Sequence, residues 1–305
     1  MLEILGKTNI DFMGKRRWAF IFSGIMVMLG LVAVVQISRG AANLGIDFAG
    51  GTAVQLKFDQ AIRIDEARKA LEANGLGNAE LQEFGQENKL LIRLKASTTI
   101  EEKVAERVVA VFTKEFPSNH FVVDSSTEIG PTIGQKLQQD ALIAILISFA
   151  GIILYVAGRF EFRFGIAAAL ATFHDVLAVL GAFYILDKEI TLLVVTALLT
   201  LAGYSMTDTV VVFDRIRENL RMRRRDSEET IINNAVNQVL SRTIVTSLTV
   251  VLVLIPLTLA GGEVLHDFSL ALLWGVIFGT YSSIFVASPL LLLWPGASGR
   301  LLKRS

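Results

Sequence analysis

The 305-residue chain contains no cysteine, so disulfides, thiol chemistry and cysteine-ligated metals are excluded. It also lacks a charge bias: 29 basic residues balance 29 acidic ones. No electrostatic pull towards nucleic acid is expected, and the placement of charges matters more than their sum. Histidine is scarce. His120, His174 and His266 lie far apart, without metal-ligand spacing. No nucleotide-binding loop and no hydrolytic triad is found, so no enzyme activity, catalytic residue, metal or cofactor is expected.

Apolar sequence is abundant. Hydrophobic residues make up 52% of the chain and mean hydropathy is +0.54. The apolar residues gather into runs near the ~20 residues a spanning helix requires. The first, residues 18–37, follows Lys15, Arg16 and Arg17. It exceeds the 7–15 residues of a typical signal-peptide core and is read as an uncleaved membrane helix. Five further runs cover about residues 137–157, 164–186, 190–213, 239–260 and 268–294.

Between the first two runs, residues 38–136 have the composition of a water-soluble domain. Residues 53–58 alternate like a strand, and residues 64–73 pair Asp65 with Lys69 at helical spacing. Residues 79–84 and 89–95 read as strands around a turn containing Gly85 and Asn88. Residues 99–116 form an amphipathic helix begun by Thr99, with Glu101 and Glu102 in its first turn. Residues 121–124 begin a last strand. The chain is therefore expected to be an α-helical polytopic membrane protein with six transmembrane helices. One extracytoplasmic α+β ferredoxin-like (β-α-β-β-α-β) domain is expected between transmembrane helices 1 and 2. Before its first strand stands GIDFAGG, with Gly45, Asp47, Phe48, Gly50 and Gly51. It lacks the Lys-Ser/Thr and the strand-to-helix setting of a phosphate loop, so a tight turn is expected.

Basic residues cluster in residues 1–17, 158–163, 214–238 and the tail 295–305, including Arg223–Arg225 as three consecutive arginines. Both termini are expected to be cytoplasmic and the large domain exterior. The arginine run is read as a topology signal, with anionic lipid as a secondary contact.

Three spans carry ionisable groups in apolar surroundings: His174 with Asp175, then Asp208, then Arg242. An aspartate at the centre of a membrane helix costs about 2.5–3.5 kcal/mol on insertion scales, and such acids commonly carry protons or ions. Asp208 and Arg242 fall at similar depth on consecutive helices. Either they pair and form a proton-responsive switch, or Arg242 snorkels to the surface. His174 is either part of that chemistry or a hydrogen-bonded packing residue. Gly203, Ser205 and Thr207 are small or hydroxylated and would admit a close helix approach, mobile or static.

Together, GIDFAGG at residues 45–51, the His174–Asp175 pair, GYSMTDTVVVFDRIREN at 203–219 and SRTIVTSLT at 241–249 carry a resemblance. The chain resembles the SecF family, the smaller membrane subunits of bacterial SecD–SecF export complexes, over almost its whole length. Asn often precedes the intramembrane Asp in that family, where Thr207 stands here. The resemblance implies membership of the resistance-nodulation-division superfamily, where such a unit is half of a pseudo-symmetric transporter. It implies SecD as heterodimer partner, the SecYEG channel as associate and unfolded polypeptide as cargo. It also implies an inner-membrane location and a proton-responsive role for Asp208 and Arg242. Two rivals remain open: a proton-driven small-molecule exporter half-unit, and a non-transporting scaffold for SecD and the channel.

Overall fold

The computed structural model describes residues 6, 8–84, 88–95, 103–222 and 226–293. The expectations placed on Gly85, residues 99–102, Arg223–Arg225 and the tail beyond residue 293 lie outside these residues. Among the described residues, six helices are long and apolar enough to cross a membrane. Two compact units emerge, each with its own core.

The helical unit comprises Met1–Asn43, Ala144–Lys188 and Leu193–Ser305. Its elements are α1 (Arg16–Ser38), most of α5 (Pro131–Arg159), α6 (Phe162–Ile185), α7 (Leu192–Met222), α8 (Glu228–Ala260) and α9 (Gly262–Ser282). A π-helical segment, Ser283–Ala287, continues α9 and leads to the short α10 (Ser288–Leu290). Several helices outrun their apolar runs. α7 extends through the basic stretch to Met222, and α8 begins at Glu228, capped by Ser227. Once started, a helix continues while its backbone pairs with itself, and water tolerates its polar end.

Burial ranks the helices. The apolar windows of α6 and of the last span are 67% and 61% buried and that of α7 is 50%, against 11–17% for the others. So α6, α7 and α9 form the interior, while α1, α5 and α8 expose wide apolar faces such as Leu146, Leu154, Leu252 and Val253. Glycine allows a close crossing of α1 and α6. A Cβ on Gly30 would stand 2.2 Å from the Leu177 carbonyl oxygen, and one on Gly181 would stand 2.9 Å from the Gly30 nitrogen. Without side chains, α1 and α6 pack backbone to backbone. At the end rich in basic residues, Asn233 and Asn237 of α8 tie down the segment before α1 through bonds to Ile10, Phe12 and Met13.

The second unit comprises Leu44–Ile143 with Glu189–Leu192. A short turn of helix, α2 (Ile46–Ala49), precedes β1 (Gly51–Phe58), α3 (Ile64–Ala73), β2 (Glu80–Phe84), β3 (Lys89–Lys95), α4 (Val104–Glu115) and β4 (Phe121–Ile129). The strands form one antiparallel sheet in the order β2-β3-β1-β4. Alternation along β1 turns Val54, Leu56 and Phe58 onto one face, where Leu71 of α3 and Val108 and Phe112 of α4 bury them. β4 begins where expected, at Phe121, and continues to Ile129, because Ser125–Ile129 pair with β1 although Ser125–Glu128 are exposed.

Gly30→Ala is expected to destabilise the helical unit by about 1–3 kcal/mol through overpacking against α6. Gly24→Ala, where the added carbon meets nothing within 4 Å, is the control and is expected to change little. Thermal unfolding in detergent distinguishes the two.

Candidate functional site: acids and hydroxyls inside the helical unit

Asp175 sits at the middle of α6 with no exposed surface. Its Oδ1 lies 2.9 Å from His174 Nδ1, and its Oδ2 accepts hydrogen bonds from Ser205 of α7 and, at 2.8 Å, from Ser282 of α9. The His174 ring is buried against Tyr281, with centroids 6.2 Å apart, and its Nε2 has no hydrogen-bond partner among the described residues. With the carboxylate at Nδ1, the proton of neutral His174 belongs on that nitrogen.

Asp208 lies one helical turn after Ser205 on α7 and is half-buried. Its Oδ2 accepts from Ser283 Oγ at 2.7 Å. Thr243 of α8 is buried beside it. Arg242 makes no ion pair with it within 4.0 Å, and is exposed. Adjacent residues on a helix diverge by about 100°. Thr243 therefore turns inward and Arg242 outward, a difference in azimuth that similarity of depth does not reveal.

The feature that ties the acids together is a run of four hydroxyl residues, which sequence reasoning did not single out. Thr280 Oγ1 lies 2.6 Å from Ser247 Oγ of α8. Tyr281 donates to the Ala19 carbonyl of α1 at 2.8 Å and lies 3.1 Å from Ser23 Oγ. Ser282 and Ser283 reach α6 and α7 through the two aspartates. Four consecutive residues sweep about 300° around a helix axis, so they can reach four different helices only from a central helix. The signal available in the sequence was the run itself. Hydroxyls within an apolar span need partners, since lipid supplies none. Glycine lets α9 lie that close to α7: a Cβ on Gly279 would meet Ser205 Cβ at 3.1 Å, and one on Gly275 would meet the Leu201 side chain at 2.6 Å.

Gly203 and Thr207 lie on the other side of α7. Both are exposed, and nothing stands within 4 Å of a Cβ on Gly203. They border an open groove of about 500 Å³ with Ser148, Gly151, Ile152 and Tyr155 of α5. The close approach to α7 is made at Ser205, by α9.

The GIDFAGG stretch belongs to the second unit and clasps the loop that precedes α7. The Gly45 N–H donates to the Ile190 carbonyl at 2.9 Å, and Asp47 Oδ2 accepts from the Leu192 N–H at 2.9 Å. Phe48 is buried, and its carbonyl accepts from Gln138 Nε2 at 3.0 Å. Gly50 has φ +72° and lies where a Cβ would stand 3.1 Å from Pro131 Cα. There the backbone must turn through a conformation that favours glycine. Gly51 opens β1. From the same loop, Glu189, 6% exposed, ion-pairs with Arg93 of β3 at 3.2 Å.

Residues 108–296 match the family described as Protein export membrane protein SecD/SecF, C-terminal, and residues 42–62 match the SecD/SecF GG Motif. The Protein translocase subunit SecF of Thermodesulfovibrio yellowstonii is 52% identical over 96% of this chain and 97% of its own length. The chain belongs to the SecF family. The SecF of Magnetococcus marinus is 43% identical over 98% of this chain and 96% of its own. Among solved structures, SecDF of Thermus thermophilus, a translocon-associated membrane protein, superposes with a TM-score of 0.81 at 35% identity. That match covers 94% of this chain and 39% of the SecDF chain. A second SecDF structure, in a super-membrane-facing form, gives 0.69 at 34% identity, covering 98% and 40%. This SecF-family chain thus corresponds to about two fifths of a SecDF polypeptide, the arrangement expected where SecF and SecD are fused. Its family role is in protein export, and the relatives are named as translocase subunits.

Removing Glu189 takes one partner from Arg93, which keeps its hydrogen bond to Gln82. Glu189→Ala is expected to destabilise the second unit, by less than the ~3–5 kcal/mol of a buried pair whose remaining charge is left uncompensated. Faster amide hydrogen exchange in β3 would register it.

Proposed function

We propose that this chain pairs with a SecD subunit and couples the proton motive force to late stages of polypeptide export through the SecYEG channel. Asp208 and Asp175 are the proton-responsive groups, His174 orients Asp175, and Arg242 acts on Asp208 through its field or after movement of α8. The carrying observation is that Asp208 lies half-buried within an apolar bundle, held by a serine hydroxyl and, among the described residues, without an ion-paired cation within 4.0 Å. A carboxylate so placed is expensive while charged, and one proton converts it from acceptor to donor. The same proton therefore changes both the charge and the direction of a hydrogen bond at the centre of the helix packing.

The second unit is taken as the exterior domain and as ferredoxin-like. The β-α-β-β-α-β order and the β2-β3-β1-β4 sheet support the fold. The clustering of basic residues in residues 1–17, 158–163, 214–238 and 295–305 supports cytoplasmic termini in a bacterial inner membrane, with anionic lipid near the basic segments. Motion reaches that unit along the chain. α7, which carries Asp208, begins at Leu192, whose N–H Asp47 holds. A potential of 100 mV supplies about 2.3 kcal/mol per charge, enough to bias a two-state element by more than tenfold; larger work needs repeated cycles.

The test uses Asp208→Asn, reconstituted with SecD and the channel in vesicles and checked for assembly. Completion of export of a secretory protein is followed with and without a proton gradient. Loss of the gradient's contribution is the expected result. Undiminished stimulation by the gradient sinks the role of Asp208 and favours a scaffold or a route through Asp175.

A further inference from the structure

We propose that Ser282 and Ser283 are positioning residues, adjacent hydroxyl rotors that hold the two aspartates in one arrangement and release them in another. The proposal rests on the proton-coupling reading above and deepens it. Ser283 Oγ lies 2.7 Å from Asp208 Oδ2 and 3.0 Å from the carbonyl oxygen of Thr280, in its own helix. Ser282 Oγ lies 2.8 Å from Asp175 Oδ2 and 3.1 Å from the carbonyl oxygen of Gly279. A serine hydroxyl has one proton, so each serine serves one of its two acceptors at a time. An ionised carboxylate is the stronger acceptor. With both acids ionised, both rotors point away from α9.

A proton on Asp208 reverses this. The neutral carboxyl group has an O–H to donate, and Ser283 Oγ has lone pairs to receive it. The serine's own proton then turns to the Thr280 carbonyl. No covalent bond in the serine breaks; Asp208 gains the proton and the hydrogen bond changes direction. The carbonyl that receives the serine lies just before the π-helical segment Ser283–Ala287. Side-chain bonding to a preceding carbonyl bends a helix, and π segments are places where helix register yields. Ser288 Oγ holds the Ser283 carbonyl at 2.7 Å, fixing the far side of the segment. A turn of Ser283 therefore acts where α9 is already irregular. Ser282 is its immediate neighbour and carries the change towards Asp175. The charged group acting on Asp208 from α8 is Arg242; beyond Ser282, the next residue along, lies the His174–Asp175 pair of α6, with Tyr281 against the His174 ring.

Infrared difference spectroscopy over a pH series tests this on the chain reconstituted with its SecD partner. Asp208→Asn identifies the Asp208 carboxyl band. Ser283→Ala is expected to move that band in frequency and to shift its pH midpoint by about half a unit or more, because one hydrogen bond to the titrating group is gone. Ser283→Thr, which keeps the hydroxyl, is expected to restore both. Ser282→Ala is expected to move the band that Asp175→Asn removes. A Ser283→Ala protein with unchanged band and midpoint overturns the rotor while leaving proton coupling intact. If Asp208→Asn removes no band at any pH, proton coupling at Asp208 fails, and the rotor with it.

Discussion

Everything in the helical unit follows from a shortage of hydrogen-bonding partners. Inside a span there is no water, so a buried polar group must find another side chain or a spare carbonyl. α9 meets that requirement for its neighbours by presenting Thr280, Tyr281, Ser282 and Ser283 in sequence to α8, α1, α6 and α7. Those four contacts are what make α9 central. The close approach they need depends on Gly275 and Gly279, whose missing side chains let α7 come near. The two aspartates are thus not isolated intrusions of charge. They are the acceptors around which the interior of the bundle is arranged.

A second constraint operates in the other unit. The GIDFAGG stretch is a structural clasp, with Gly45 and Asp47 holding the backbone of the loop from Glu189 to Leu192 while Glu189 is bound by Arg93. Its glycines serve backbone geometry at Gly50, and its acid serves as an acceptor for a helix-start N–H, a favourable role for a carboxylate. The loop that leads into the Asp208 helix is therefore built into the folded unit next to β3.

Much of this was legible beforehand because it depends on periodicity. α3 and β3 fall on the residues where alternation and charge spacing put them, and the apolar runs locate the six helices. The helix ends at Met222 and Glu228 were not legible, because polar turns of a helix carry no hydropathy signal. Residues 280–283 give no clear signal for a related reason: hydroxyl residues are near neutral in hydropathy and can satisfy themselves on their own helix, so the sequence does not say whether they reach out. Glu189 pairs with Arg93, almost a hundred positions away, and no local pattern announces a partner so distant. Arg242 was placed at the depth of Asp208, but depth is a coordinate along the axis and contact also needs azimuth; Thr243 has the inward one.

On the proposed function, polypeptide movement and proton movement are linked through the helical unit. The most direct measurement is proton flux into vesicles containing this chain, a SecD subunit and the channel, followed with an internal pH dye under an imposed gradient. Flux is compared with a secretory polypeptide engaged and with the channel idle. Linkage predicts flux that rises when polypeptide is engaged and that vesicles lacking this chain do not show. Equal flux in engaged, idle and chain-free vesicles would contradict it and leave the acids a purely structural role.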